Sequence, residues 1–317
     1  REGIYLRRSS IPSYVGMINN PYGNIGKVEN KGFELSVNYA NSWGGDWSLS
    51  LMGNYSFNRN KVLEDDSTVV YPWQNTIGNK VGQRFGLVAL GLFESYGEIA
   101  ASPVQTGDTR PGDIKYQNLR DDGSSTNRID TGDGTFDNPG DRKIIGNNSL
   151  RLQYGINLGV NYKGFDLSVL LQGVGKRDVW ISDARRWPFN SGQFGSLFKD
   201  QLDYWKPVDS ANGDWTAANP NAEYFRIYGQ GNNSSYNTRA QTKYLMNGSY
   251  LRVKNVTLSY NFPKSWLAPI TLTSLKAFVS CENLHTFTKL MKGYDPERLS
   301  WGYPFYRTIS FGFNVTL

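Results

Sequence analysis

Alternating apolar and polar residues are the main pattern of this sequence. In the clearest stretch, apolar residues occupy the even positions from Leu152 to Tyr162, and only Asn, Gln and Gly occupy the odd positions between them. Period-two alternation predicts a β-strand with one apolar face. The polar face of a soluble sandwich is usually rich in Lys, Glu and Thr, whereas small uncharged polar residues are typical of the inside of a membrane barrel.

The alternation recurs along the chain and predicts about nine antiparallel strands. A short strand at 113–118 is included because neighbouring strands must run in opposite directions, and one upward strand would otherwise be missing. Within 249–262 the apolar parity changes between Val253 and Val256, which predicts a β-bulge near Lys254 and Asn255. The nine predicted strands are 28–41, 47–61, 81–96, 113–118, 150–162, 165–175, 249–262, 275–287 and 305–317.

The connections between these strands differ in length in a regular way. Short turns are predicted at 41–46, 163–164 and 263–270, and the connections at the other ends are far longer, as at 97–148 and 177–247. Outer-membrane barrels have short periplasmic turns and long extracellular loops. A soluble β-sandwich seldom contains structureless loops beyond about 12–15 residues. We therefore predict an all-β protein, a transmembrane antiparallel β-barrel, over a sandwich.

Composition is consistent with this fold and excludes several others. The chain has 317 residues, 14% aromatic and 38% hydrophobic, with a mean hydropathy of −0.52. It contains no run of about 18 apolar residues, so no transmembrane helix is predicted. The net charge of +6 comes from scattered Lys and Arg residues, which argues against a nucleic-acid partner. No secretory signal opens the chain, so for an exported protein we expect an upstream segment.

Few residues offer catalytic chemistry. The single cysteine, Cys281, cannot form an internal disulfide, and its parity places it on the lipid face. The single histidine, His285, has no second His or Cys at ligand spacing, and any Ser–His–acid triad would have to use it. No phosphate- or dinucleotide-binding loop is present. We predict that the protein is not an enzyme.

Several short segments spread along the chain carry a family resemblance. They are 24–34, 162–168, 248–260, 282–284, 286–289, 293–297, 303–304, 307–308 and 311–316. These segments resemble recurrent motifs of the SusC/RagA-type TonB-dependent outer-membrane transporters. The resemblance covers nearly the whole chain in the expected order, and it is specific as a set. The final residue, Leu317, stands where many relatives have an aromatic residue.

This resemblance implies that residues 1–317 are the C-terminal portion of a single 22-stranded barrel domain, whose plug domain and earlier strands lie outside the chain. It also implies a SusD-like surface lipoprotein, energy from the TonB complex through the missing N-terminal part, outer-membrane lipid around the wall, and a glycan or peptide substrate. Two alternatives remain: a structural or adhesive outer-membrane barrel without transport, and a secreted carbohydrate-binding sandwich.

An Asp- and Gly-rich segment resembles a calcium-binding loop. Its candidate ligands are Asp130, Asp133, Asp137 and Asp141. Calcium prefers several carboxylate and carbonyl oxygens, but Ile129 stands where the strict loop has its first ligand. Calcium is therefore a possible cofactor, and the alternative is a solvated extracellular turn.

The longest loop is rich in aromatic residues. Such side chains stack on sugar rings and anchor protein interfaces, but long compact loops also pack on themselves. We therefore consider substrate contact, lipoprotein contact, a self-packed loop core and the aromatic girdle at the membrane interface. A second candidate lining of an outer vestibule is Asp295, Glu297 and Arg298, with a solvated loop as the alternative. The aromatic candidates are Trp180, Trp187, Tyr204, Trp205, Trp215, Tyr224 and Tyr228.

Overall fold

A computed structural model describes most of the chain. The described residues are 1–8, 10–67, 72–105, 107–119, 129, 140–183, 185–188, 197–228, 234–300, 303 and 305–317. They divide into two compact units. The wall unit comprises Asn30–Asn60, Ser149–Arg177 and Asn247–Leu317, and the loop unit comprises Arg1–Glu29, Lys61–Asn148 and Asp178–Met246.

Strands dominate the described residues. In chain order they are β1 Ile4–Arg7, β2 Tyr22–Trp43, β3 Trp47–Glu64, β4 Gln83–Gly86, β5 Ala89–Leu92, β6 Ile114–Tyr116, β7 Lys143–Asn147, β8 Leu152–Tyr162, β9 Phe165–Val174, β10 Asp178–Val179, β11 Pro207–Asp209, β12 Asp214–Ala217, β13 Met246–Asn247, β14 Tyr250–Asn261, β15 Ser274–Thr288 and β16 Thr308–Thr316.

Helices are few and short. They are α1 Tyr96–Ala100, α2 Ser234–Asn237 and α3 Lys264–Leu267, with 3₁₀ turns at Ser13–Val15, Pro72–Gln74, Lys199–Leu202 and Ala268–Ile270. Within the described part of the chain, no helix is both long enough and apolar enough to span a membrane.

The wall unit is one sheet of seven long strands in the order β2-β3-β8-β9-β14-β15-β16. From β3 onward every neighbouring pair is antiparallel. The predicted hairpin turn between β8 and β9 is confirmed, because Tyr162 pairs with Phe165 while Lys163 and Gly164 both have positive φ, at 47° and 87°. The all-β antiparallel fold predicted from the alternation is therefore confirmed.

The nine-strand prediction was wrong in one region. Strand β3 pairs directly with β8, so neither 81–96 nor 113–118 belongs to the wall. Their residues instead form two small sheets in the loop unit, where β4 pairs with β7 and β5 with β6. The prediction of wall strands failed here because these short strands are buried in a loop core. Since both errors fall inside one connection, the predicted directions of the other strands are unchanged.

The predicted bulge in β14 is confirmed. Pairing with both neighbouring strands shifts register between Val253 and Asn255. The shift keeps the apolar residues on one face on both sides of the bulge, since Leu251 and Leu258 pair with Gly173 and Leu167 of β9. One extra residue is thus what reconciles the two parities of this strand.

The two faces of the wall differ in chemistry. One face is apolar and solvent-accessible: Phe311 and Phe313 of β16 are 82% and 68% exposed. A continuous apolar face of this size would be a liability in water, whereas lipid covers it in a membrane. Other exposed apolar residues of the wall are Phe33, Leu35, Val37, Tyr39, Trp47, Phe165, Leu167, Leu258, Val279, Ile309 and Val315.

Candidate functional site

The opposite, lumen face of the wall is polar. A shallow depression of about 450 Å³ is lined there by residues of four strands, with uncharged polar side chains beside Leu and Tyr residues. These side chains offer hydrogen-bond donors and acceptors along the wall, and one carboxylate is among them. Such a surface suits hydrophilic molecules that pass through or dock inside a barrel. The polar lining residues are Glu34, Ser36, Asn54, Ser56, Gln153 and Gln172.

A second polar cluster lies on the lumen face near the short turns. Its centre is Asp166 of β9, whose Oδ2 lies 3.0 Å from the ammonium of Lys276 and accepts a hydrogen bond of 2.8 Å from the side-chain amide of Asn261. Ser259 donates a further, longer bond of 3.4 Å to the same oxygen. The carboxylate is thus neutralised by its neighbours and joins β9, β14 and β15 across the sheet.

A third cluster holds a connecting segment against the wall. Arg252 of β14, 1% exposed, lies with Nη2 2.5 Å from Asp295 Oδ2 and Nη1 3.3 Å from Glu297 Oε1. Its Nε donates to the hydroxyl of Thr286 at 2.9 Å, and Lys254 Nζ lies 2.8 Å from Glu297. Asp295 and Glu297, candidates for an outer vestibule, are therefore paired with cations of the wall.

Arg298, the third vestibule candidate, behaves differently. Its side chain is exposed, and its guanidinium donates only a long bond of 3.4 Å to the carbonyl oxygen of Tyr303. The three predicted residues therefore do not act as one group. The sequence prediction missed Arg252, which lies 43 residues from Asp295 along the chain.

Most of the predicted aromatic residues lie in the core of the loop unit. Trp187, Trp205, Tyr224 and Tyr228 are buried, and Trp205 is completely inaccessible. Trp180 and Trp215 pack against this core from outside, and Tyr204 is half-buried. This arrangement is that of the self-packed loop core. The substrate- and lipoprotein-contact roles of the seven residues stay predictions.

The loop core also contains a polar centre that the sequence prediction missed. The carboxylate of Asp113 is fully buried and accepts hydrogen bonds from the Tyr228 hydroxyl, from the side-chain amide of Asn237 at 2.9 Å and from the Arg110 backbone at 2.9 Å. Burial raises the pKa of Asp113 above its usual range, although these donors oppose the shift. Burial also raises the pKa of Tyr228, with Asp113 adding to the effect.

The calcium prediction falls largely outside the described residues. Asp130, Asp133 and Asp137 are not among them. Asp141 is described: it is fully buried, and its Oδ1 accepts a hydrogen bond of 2.6 Å from the backbone of Leu119. Among the residues that the structure describes, no three His, Cys, Asp or Glu side chains form a group suited to a metal.

The two single-copy residues, Cys281 and His285, both lie in β15. His285 packs its ring edge-on against Phe287, with 4.4 Å between the centroids. Cys281 pairs across the sheet with Val256 and Ile309, within the apolar rows. Cys281 therefore lies on the face that the sequence predicted, and His285 lies beside an aromatic ring near the end of its strand.

Comparisons with known proteins bear on this wall. No family model matches the chain. It is 28% identical over 335 residues to TonB-dependent receptor P3 of Formosa agariphila. This alignment covers 96% of this chain and 30% of that protein. It is 27% identical to TonB-dependent receptor P26 of the same organism, covering 97% and 31%. The chain thus spans about 30% of the length of these relatives.

Solved structures share the fold. A structure of the RagAB peptide transporter superposes with a TM-score of 0.64 at 20% identity, covering 99% of this chain and 32% of that one. The RagAB peptide importer in its open-open state gives 0.64 at 19% identity, covering 100% and 31%.

The fold is part of the wall of an outer-membrane β-barrel, and the protein is located in the bacterial outer membrane. The predicted resemblance to the SusC/RagA-type TonB-dependent transporters is confirmed.

Proposed function

We propose that this chain forms part of the wall of a TonB-dependent transporter that imports oligosaccharides or peptides across the outer membrane together with a SusD-like lipoprotein. The observation that carries the proposal is the match to TonB-dependent receptors along 96% of the chain. The polar lumen face supports it, because a hydrophilic solute needs hydrogen-bonding groups along its path. The wall would supply binding and passage, with no covalent chemistry.

The experiment is an uptake assay in a strain that lacks the endogenous gene and is complemented with the full-length protein. Labelled oligosaccharide and peptide pools are supplied separately, with and without a functional TonB. We expect uptake of one pool that disappears when TonB is deleted. A protein that reaches the outer membrane but gives no TonB-dependent uptake of either pool would instead support a structural or adhesive barrel.

Two matched variants test the role of the lumen face. Gln153→Trp places a large ring on the lumen depression, whereas Leu158→Trp places the same ring on the lipid face of the same strand. Tryptophan is tolerated at membrane surfaces, so the Leu158 variant is the control. Uptake is expected to fall only for the Gln153 variant, with equal amounts of both proteins in the outer membrane.

The lipoprotein and calcium belong to the same proposal. A SusD-like lipoprotein is expected to co-purify with the full-length protein from detergent-solubilised membranes.

For calcium, the acidic segment around Asp137 supplies the candidate oxygen ligands. Terbium luminescence of the full-length protein should fall when Asp137 is changed to Ala, and an unchanged signal would remove the calcium proposal.

A further inference from the structure

A groove lies on the apolar face of the wall, at the end where the long connections begin. Its volume is about 710 Å³, and it is bounded by the last residues of β9 and β15 and the first of β14. Tyr154, Leu251 and Phe287 lie in one cross-strand row with Gly173, and they define the side of the sheet on which the groove opens. Arg252 lies against the lumen face and takes no part in it.

Small residues and aromatic side chains line this groove together. Gly175 and Ser249 are among its lining residues, as are Tyr154, His285 and Phe287. In the sheet, β9 and β14 lie between β8 and β15. The groove lies on the apolar face of these strands, the face that lipid covers in a membrane barrel.

Two cations line the same groove. Lys176 and Lys289 are exposed, and among the described residues neither has an ion pair or hydrogen-bond partner. Strand β9 has 10 residues, about the length that a tilted strand needs to cross the hydrocarbon layer. Lys176 and Lys289 follow the ends of their strands, so the two ammonium groups belong at the level of the lipid headgroups.

We propose that this groove binds a phosphorylated lipid of the outer leaflet. The ammonium groups of Lys176 and Lys289 would pair with the phosphate, and Leu251, Phe287 and the Tyr154 ring would contact the acyl chains. Charge complementarity favours an anionic lipid, and the apolar residues in the lining of the groove favour acyl chains over a free anion. The inference rests on the outer-membrane location and not on the import function, so it survives if import fails.

The test uses the full-length protein in nanodiscs of zwitterionic lipid, with diphosphorylated lipid A as the probe and its dephosphorylated form as the matched lipid. Binding is measured by native mass spectrometry. Each lysine near the headgroups contributes about 1 kcal/mol, so the double variant Lys176→Gln and Lys289→Gln is expected to bind the phosphorylated probe about thirtyfold more weakly. The control is Lys264→Gln in α3, an exposed lysine near the short turns.

The proposal is overturned if both probes bind the unaltered protein equally well, because the phosphate would then not be recognised. It is also overturned if the double variant binds like the Lys264 control. If a second copy of the protein binds in place of the lipid, and the double variant loses that complex, the groove is a protein interface. Heat-modifiable migration confirms that each variant is folded before its binding is compared.

Discussion

Arg252 and Asp295 join strand β14 to the connection that follows β15, with 2.5 Å between Nη2 and Oδ2. The arginine is inaccessible to solvent, and the Phe305 ring lies 5.5 Å from its guanidinium carbon. Low solvent accessibility weakens the screening of this ion pair. Removing either partner therefore costs free energy, because the other charge is left buried without compensation. The pair therefore determines where the segment around Asp295 rests on the wall.

We predict that Arg252→Met releases this segment. Removing one partner of a buried pair costs about 3–5 kcal/mol, because the remaining charge is left uncompensated. In this variant Asp295 loses its cation and Glu297 keeps only Lys254, whereas Asp295→Asn leaves Arg252 paired with Glu297. Trypsin cleavage after Arg298, measured on intact cells, should therefore accelerate strongly for Arg252→Met and less for Asp295→Asn.

The control for this prediction is Arg307→Gln, an exposed arginine in the same connection. Its cleavage after Arg298 should match that of the unaltered protein. Equal cleavage rates for Arg252→Met and the control would show that the ion pair does not hold the segment.

A second prediction separates the loop-core role of the aromatic residues from a contact role. Trp205 is fully buried, and a Cβ at Gly112, whose φ is +88°, would lie 2.6 Å from its ring. Trp205→Ala is expected to destabilise the loop unit by about 3–5 kcal/mol, as large cavities do. Protease sensitivity of the loops on intact cells should rise accordingly.

The comparison variant is Trp215→Ala, because Trp215 packs only against the outside of that core. Its loops should stay close to wild type in protease resistance. A loss of substrate or lipoprotein binding in the Trp215 variant, without increased cleavage, would support the contact role at that residue. Unchanged resistance in Trp205→Ala would contradict the loop-core role.

The sequence predicted the wall better than the connections, and the reason is physical. Alternation such as that of Leu152–Tyr162 reflects two different environments on the two faces of one strand, so it is visible in the sequence. Leu87 and Ile114 are buried in a loop core. Their surroundings lack the difference between two faces that produces alternation, and their segments were wrongly predicted as wall strands. Short strands buried on both sides carry no period-two signal.

The polar clusters lay beyond sequence reasoning for a different reason. Asp113 and Asn237 are separated by 124 residues, and neither belongs to a recognisable motif. Their contact depends on how the long loops fold back, which local spacing does not encode. The bulge at Val253 and Asn255 was predictable because it leaves a local parity change.

A third prediction concerns the pH dependence of the loop unit. Burial raises the folded-state pKa of Asp113, so protonation stabilises the fold. This contribution is fully present below about pH 4, the ordinary range for aspartate, and is lost as the pH rises through the raised folded-state pKa. Loop opening should therefore increase with pH in that window, by at most about tenfold per pH unit for one proton.

Asp113→Asn should remove this dependence. The measurement is the ratio of loop cleavage rates between variant and unaltered protein at each pH, which cancels the pH profile of the protease. Asp108→Asn, an exposed acid of the same segment, serves as the control and should leave the pH profile unchanged. A pH profile that persists in the Asp113 variant would assign the dependence to another group.

The last prediction concerns Gly173 of β9 and Tyr154 of β8, which face each other across the sheet. A Cβ at Gly173 would overlap the Tyr154 ring, so Gly173→Ala should cost about 1–3 kcal/mol by overpacking and reduce the heat-modifiable, folded fraction of the full-length protein. Gly53→Ala in β3 is the matched control, because nothing lies within 4 Å of its added carbon. Combining Gly173→Ala with Tyr154→Ala should restore folding, since the overlapping ring is gone. If the double variant folds no better than Gly173→Ala alone, then backbone freedom and not ring packing is what this position requires.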